Sequence, residues 1–426
     1  MSTQAREADE RVALGVSDLP TPLSDRRPRG RIIELDALRG LAAVTVVVGH
    51  SLVVFPNFDR ATRGIAGLDL VNTVKYSPLA IVQSGEAAVI LFFVLSAFVL
   101  ALPYLGPRAP SYRAFLAKRV CRIYLPYLAI VGTAIALAAL LGGGGLPGLS
   151  DWANARWQGD FGAGLLLGHA TLLGSFDNAQ FDPVLWSLVH EMRISLIFPL
   201  LVLAVVVLGP LRSVVGALAV LIIGLALNKV GIHLDHPSDY FRTLFYVPCF
   251  VAGILLARHH HEIVTRFQRL SAVRRAGFVG SGVLLFTYPS WMDPAWFGHA
   301  HRHNIDDIIA VTAGGCVFMI WALGSDGLAH FLRGRVPQFL GRISYSLYLL
   351  HAVVLLALLH LLDGAVPTLA IVGLMWLVAL PLAAASQRWI ELPAIGLGKR
   401  LAARLDGGAP AAGSGTPLVA GATGGR

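Results

Sequence analysis

The chain has 426 residues, 55% hydrophobic and 14% charged, where a soluble domain has about 25% charged, and its mean hydropathy is +0.67. That balance excludes an ordinary soluble multidomain protein. The net charge of +9 is not a nucleic-acid signature, because the basic residues fall in short clusters between apolar runs, where they set membrane orientation.

In chain order, residues 1–32 are polar, with Pro20, Pro22 and Pro28 and no apolar period, and are expected to form a disordered cytoplasmic lead. Arg26-Arg27 within it reads as an inside anchor, since no small-residue cleavage site follows to make a twin-arginine export signal. Residues 33–400 are expected to form the transmembrane domain. Their apolar runs are long enough to cross about 30 Å of hydrocarbon as helix. They predict an all-α, polytopic integral membrane bundle of about ten transmembrane helices. The spans fall at roughly 38–56, 79–103, 122–142, 183–209, 213–231, 241–257, 276–290, 305–323, 339–361 and 367–389. The apolar piece Phe161 to Leu173 is too short to cross and points to a re-entrant or interfacial segment. Residues 401–426, rich in Gly and Ala, are expected to be a disordered cytoplasmic tail.

The loops after even-numbered spans hold Arg108, Arg113, Lys118 and Arg119, then Arg212, then Arg258 to Arg275, then Arg333 and Arg335. The opposite loops are acidic: 143–182 holds Asp151, Asp160, Asp177 and Asp182 against Arg156, and 232–240 holds Asp235 and Asp239. This asymmetry predicts cytoplasmic N- and C-termini. Cys121, Cys249 and Cys316 lie in apolar segments without paired spacing, which implies neither a disulfide framework nor a metal site. The triplet His259, His260 and His261 lacks metal-type partners and reads as a solvated face of an inside loop. His299, His301 and His303 near Trp296 read as an interfacial outer loop.

An ionisable side chain in hydrocarbon costs about 2.5 to 3.5 kcal/mol on insertion scales, so each one within a span needs a reason. That filter leaves Arg39 and His50, Glu86 and Ser96, Arg119 and Arg122, Glu191 and Arg193, and His351. Arg39 and His50 are eleven residues apart, which is three helical turns plus roughly 20°, one face, and about 16 Å along the axis. A histidine at that depth can take and return a proton near neutral pH, or serve as a buried interhelical hydrogen-bond partner. Arg119 and Arg122 present two guanidinium groups on one face, fit for phosphate or for anchoring at the inner surface. Glu191 lies at a depth similar to His50 and could hold its imidazole as the acid of a hydrolase triad does, or form a salt bridge with Arg193 or another helix. Ser344, Tyr348 and His351 share a helical stripe that could line a substrate cavity or bond between helices. The same buried charges could also make a proton relay in a transporter, but no inverted repeat is visible.

Five segments carry a resemblance: LDALRGLAAVTVVVGH from Leu35 to His50, FFVLSA from Phe92 to Ala97, RVCR from Arg119 to Arg122, WSLVHE from Trp186 to Glu191, and GRISYSLYLLH from Gly341 to His351. In this order, over residues 33 to 400, they resemble the membrane-bound acyltransferase-3 family, O-acyltransferases of bacterial envelope sugars and secreted metabolites. The resemblance implies a stand-alone enzyme of the bacterial inner membrane that moves an acyl group, acetyl first, from cytoplasmic acyl-CoA to a carbohydrate or glycosylated acceptor. Acyl-CoA is then a co-substrate, and no cofactor, metal or nucleic acid is expected. It implies His50 and Glu191 as catalytic residues, Arg39, Arg119 and Arg122 as the acyl-CoA site, and Ser96, Trp186, Tyr348 and His351 as the substrate cavity. Two positions depart from the family pattern: Ala97 stands for a glycine that would allow close backbone approach, and Met192 for a second acid.

Overall fold

The computed structural model describes residues 32–62, 74–158, 161–233, 239–291 and 305–406. The N-terminal lead with Arg26-Arg27, the residues His299, His301, His303, Asp160 and Asp235, and the tail from 407 onward lie outside the described residues. Among the described residues ten long helices run in order: α1 Ile33–Val53, α2 Gly85–Leu105, α3 Tyr112–Leu141, α4 Leu185–His233, α5 Val247–Gln268, α6 Ala272–Phe286, α7 Ile305–Gly324, α8 Arg335–Leu362, α9 Thr368–Ser386 and α10 Leu392–Leu405. No strand occurs among the described residues.

Among the described residues eight helical stretches are long and apolar enough to cross a membrane. The stretch Leu185–Gly231 covers 47 residues and joins two expected spans in one. Its backbone breaks at Gly209, with φ 75° and ψ 175°. Pro210 follows, so the break falls where a positive φ is open to glycine and the next residue lacks an N–H. The expected span 276–290 is α6, only 15 residues long. α3 starts at Tyr112, ten residues before expectation, with Ser111 accepting from the Ala114 N–H at 3.2 Å as its cap. Arg119 and Arg122 therefore sit two to three turns inside a helix. α5 continues to Gln268, so His259, His260 and His261 are helical; His260 Nδ1 lies 2.7 Å from the Ala257 carbonyl and its ring packs on Phe98. The helical body reaches Leu405, past the expected boundary at 400. Between Phe161 and Leu173 only Ala163–Thr171 is helical, nine residues, too short to cross.

Large apolar side chains point outward along these helices: Leu200 is 66% exposed, Val207 71%, Leu211 78% and Leu377 73%. Water does not tolerate such a surface, whereas lipid does. The chain is a multi-pass membrane protein.

Within the bundle α5 packs along α2, α8 along α9, α10 along α3 and α6 along α7. Glycines set the tightest crossings. A Cβ on Gly40 would lie 2.4 Å from the Gly341 nitrogen, and one on Gly341 2.4 Å from the Asp36 carbonyl oxygen. Ten residues further along both helices His50 meets His351, the same offset of 301 positions. α1 and α8 are therefore parallel neighbours in constant register. On the far side of α2, a Cβ at Gly253 would come within 2.4 Å of the Val94 carbonyl oxygen and 2.7 Å of the Ala97 Cβ. The close approach expected of a glycine at position 97 is made from the opposite helix. Between α9 and α10 the turn Gln387–Glu391 is a π-helix, and Ser346 Oγ donates to Glu391 Oε2 at 3.0 Å.

Candidate active site

The end of the bundle where α1, α3 and α8 begin and α2 finishes holds an open cavity of about 760 Å³ with its solvent-filled mouth included. Arg39, Arg119 and Arg122 face it with Ser96, Glu191, Ser344 and Tyr348. Three guanidinium groups against one carboxylate give its wall a formal +2. Phe92, Phe93, Val89 and Leu188 supply the apolar remainder.

The arginines are held differently. Arg119, 5% exposed, gives Nη2 to Glu191 Oε1 at 2.7 Å and Nε to Ser195 Oγ at 3.2 Å. Ser96 Oγ donates to the same Glu191 oxygen at 2.7 Å. A charge so enclosed persists only when paired and hydrogen-bonded. Arg39 pairs with Asp36 at 3.5 Å, one turn back. Arg122 is exposed and forms no direct ion pair among the described residues, though its charge is felt by the Glu391 carboxylate.

Glu191 therefore does not meet His50, as its depth had led us to expect. Depth along a helix leaves the azimuth open, and Glu191 faces α2 and α3. Arg193, two residues on, points to another side and binds the Leu173, Gly174 and Asp239 carbonyls and the face of Tyr240. The alternative Glu191–Arg193 bridge is likewise not formed. Trp186 also leaves the cavity and packs on Phe93, Tyr246 and His190. Glu86 lies exposed in the first turn of α2, where the helix dipole favours an acid.

The ring that meets His50 is His351. His50 Nδ1 and His351 Nε2 are 2.8 Å apart, with the rings near-parallel at 21°. His351 is fully buried, and its Nδ1 lies 3.0 Å from the Leu347 carbonyl oxygen. Trp152 stacks on His50 with centroids 5.3 Å apart, and Arg156 lies over the Trp152 ring. Between this pair and the cavity stands Tyr348. Its hydroxyl donates to the Val184 carbonyl at 3.0 Å and lies 2.7 Å from Ser187 Oγ, while its ring is 6.3 Å from His351.

Sequence reasoning missed Trp152, Arg156, Ser187 and Ser195. Trp152 lies in a single helical turn, Asp151–Asn154, and Arg156 just after it, too short a stretch to carry a readable period, held where the Ser150 N–H donates to the Val54 carbonyl at the end of α1. Outside the spanning helices, burial pushes the Asp182 carboxyl well above its usual value, and Asp182 Oδ2 has no partner. Burial likewise lowers the Arg156 guanidinium, against the pull of Asp177 and Asp59. Among the described residues no group of His, Cys, Asp and Glu could hold a metal ion.

A family model described as an acyltransferase domain matches residues 32–386. Neither the curated proteins nor the solved structures contain a match to the chain.

Proposed function

This chain belongs to the acyltransferase-3 family, and we propose that it moves an acyl group, acetyl first, from acyl-CoA to a hydroxyl of a carbohydrate or glycosylated acceptor, using His50. The observation that carries this reading is the arginine-walled cavity ending at Tyr348, the residue that touches the partner of His50. Coenzyme A phosphates are matched by guanidinium forks, and Arg122 has one to spare. Apolar walls beside them suit the pantetheine arm and the acyl chain.

In the transfer, His50 takes the acceptor hydroxyl proton as its oxygen attacks the thioester carbonyl. The C–O bond forms, the C–S bond breaks, and the proton passes to the departing thiolate. Alternatively the imidazole carries the acyl group itself before handing it on. The cationic loops that flank the starts of α1, α3 and α8 support a cytoplasmic cavity and cytoplasmic termini, and the bacterial inner membrane is the location that the family resemblance implies.

The test is transfer from radiolabelled acetyl-CoA in membranes, wild type beside His50→Ala. Labelling should fall by roughly 10³-fold in the variant, and equal labelling would remove His50 from the reaction. Trapping an acyl-histidine at residue 50 selects the carrier route; a ternary complex that reacts without it selects direct transfer.

A further inference from the structure

His50 and His351 differ in how many ring nitrogens they have free, and that difference assigns a role to each. The Leu347 carbonyl can only accept, so the His351 Nδ1 at 3.0 Å carries a proton. In a neutral ring this leaves His351 Nε2 as an acceptor, and the only donor the pair offers it is the His50 Nδ1–H at 2.8 Å. Both nitrogens of His351 are then used, in a side chain with no exposure. His50 keeps one, Nε2, bare and with its lone pair available.

From this chain of bonds we infer that His351 is the positioning residue of the site: it holds His50 in the Nδ1–H tautomer and makes His50 Nε2 the reacting atom. The inference rests on the reading of His50 as base or acyl carrier. As base, His50 Nε2 takes the acceptor proton and releases it to the thiolate while the Nδ1 proton stays on its bond to His351. As carrier, the same Nε2 lone pair attacks the thioester carbon, the C–N bond forming as the C–S bond breaks and the thiolate leaves; the acceptor oxygen then displaces Nε2, and its proton goes to the thiolate. A carboxylate in this place would stabilise the imidazolium more strongly but would be costly to bury at this depth. A second histidine, grounded on a backbone carbonyl, sets the tautomer with no net charge. The register of α1 and α8 fixed at Gly40 and Gly341 keeps the two rings within reach.

The experiment compares wild type, His351→Leu and His351→Gln in membranes, measuring kcat and both KM values with acetyl-CoA. A glutamine keeps an acceptor oxygen near the place of Nε2, and a leucine keeps only volume. His351→Leu should lose roughly 10²- to 10³-fold in kcat with the donor KM little changed, and His351→Gln should recover to within about tenfold of wild type. A His351→Leu enzyme within about threefold of wild type, or a folded His351→Gln enzyme as slow as the leucine variant, would overturn the inference. A measurement on the unaltered site covers the case in which His351→Leu does not fold. The ¹⁵N-histidine difference spectrum between wild type and His50→Gln should show Nδ1 protonated and Nε2 bare at His50, and the opposite tautomer would refute it. Undiminished labelling by His50→Ala overturns the proposed function instead, and the two failures are thereby separate.

Discussion

Around Arg39 the interior of the bundle is ionic, with Arg119 locked to Glu191 at 2.7 Å and three guanidinium groups turned to one cavity. About three turns further along α1 the direct contacts of His50 are uncharged, an imidazole, an indole and, through His351, a backbone carbonyl, and the nearest cation, Arg156, stands behind the indole. The contrast separates two tasks. A polyanion arriving from water brings its own charge, so its site needs cations whose desolvation is offset by fixed partners. A proton passed back and forth needs a group whose tautomer is set and whose surroundings do not trap it in one state. Substitutions at the first end should move the donor KM and stability; those at the second should move kcat.

The largest effect should come from the contact that joins both ends. Gly40→Val drives a side chain into the Gly341 backbone, which lies 2.4 Å from the position of its Cβ. Backbone cannot yield as a rotamer can, so a loss of about 3 kcal/mol or more is expected, with transfer abolished. Thermal unfolding in detergent and the labelling assay read the two losses. A stable, active variant would show that the register of α1 and α8 is set elsewhere.

Glu191→Ala comes next. It strands the buried Arg119 guanidinium, and removing one partner of such a pair costs roughly 3–5 kcal/mol. The protein should be less stable and should bind acyl-CoA weakly. A fall in kcat with stability and KM intact would return Glu191 to the imidazole and break the distinction between the ends.

Arg122→Ala should be milder, because Arg122 is exposed and braces nothing among the described residues. The loss of one charged hydrogen-bonding group, about 1.5–3 kcal/mol, should appear as a donor KM raised roughly ten- to hundredfold with kcat unchanged. High salt should shrink the difference between variant and wild type.

The same contrast explains what could be read before the fold was known. Arg39, Arg119, Arg122 and Glu191 are conspicuous as charges in apolar runs, and hydrocarbon is a strict filter. Their convergence on one cavity, and the meeting of His50 with His351, depend on helix azimuth and register, which one-dimensional spacing does not carry. Depth alone offered Glu191 to His50, whereas the Gly40–Gly341 crossing brings His351 there instead. Trp152 left no signal at all, since it stands in a single helical turn, Asp151–Asn154, too short for a period to be read. The helices themselves were legible as apolar runs; their ends were not, because helix bonding continues beyond the hydrocarbon, as α3 and α5 do.

At the histidine end Trp152→Ala removes an aromatic partner of His50, an interaction of roughly 0.5–1.5 kcal/mol. A three- to tenfold fall in kcat is expected at unchanged donor KM. A change confined to the donor KM would place Trp152 with the arginines.

The smallest effect concerns the short helix Ala163–Thr171 outside the spanning helices. His169 in Ala163–Thr171 is buried against Phe176 and Phe181, and the Tyr127 hydroxyl donates to its carbonyl at 2.8 Å. Burial pushes its imidazole down to about 4, against the pull of Asp177, so it is neutral at pH 7. A depressed value means that the unfolded segment binds the proton more tightly. The stability due to a neutral His169 is then complete above about 6.5 and drains away as pH falls through about 4. Acid should loosen this helix first. The hydrogen-exchange protection of residues 161–182 in wild type, taken relative to the intrinsic amide rate at each pH, should fall from pH 7 to 4.5, more than in His169→Gln, while protection around Arg119 stays the same in both. An equal loss of protection at both ends would mean that acid acts through the ionic end, where the carboxylate of Glu191 holds Arg119, and that the two regions respond as one.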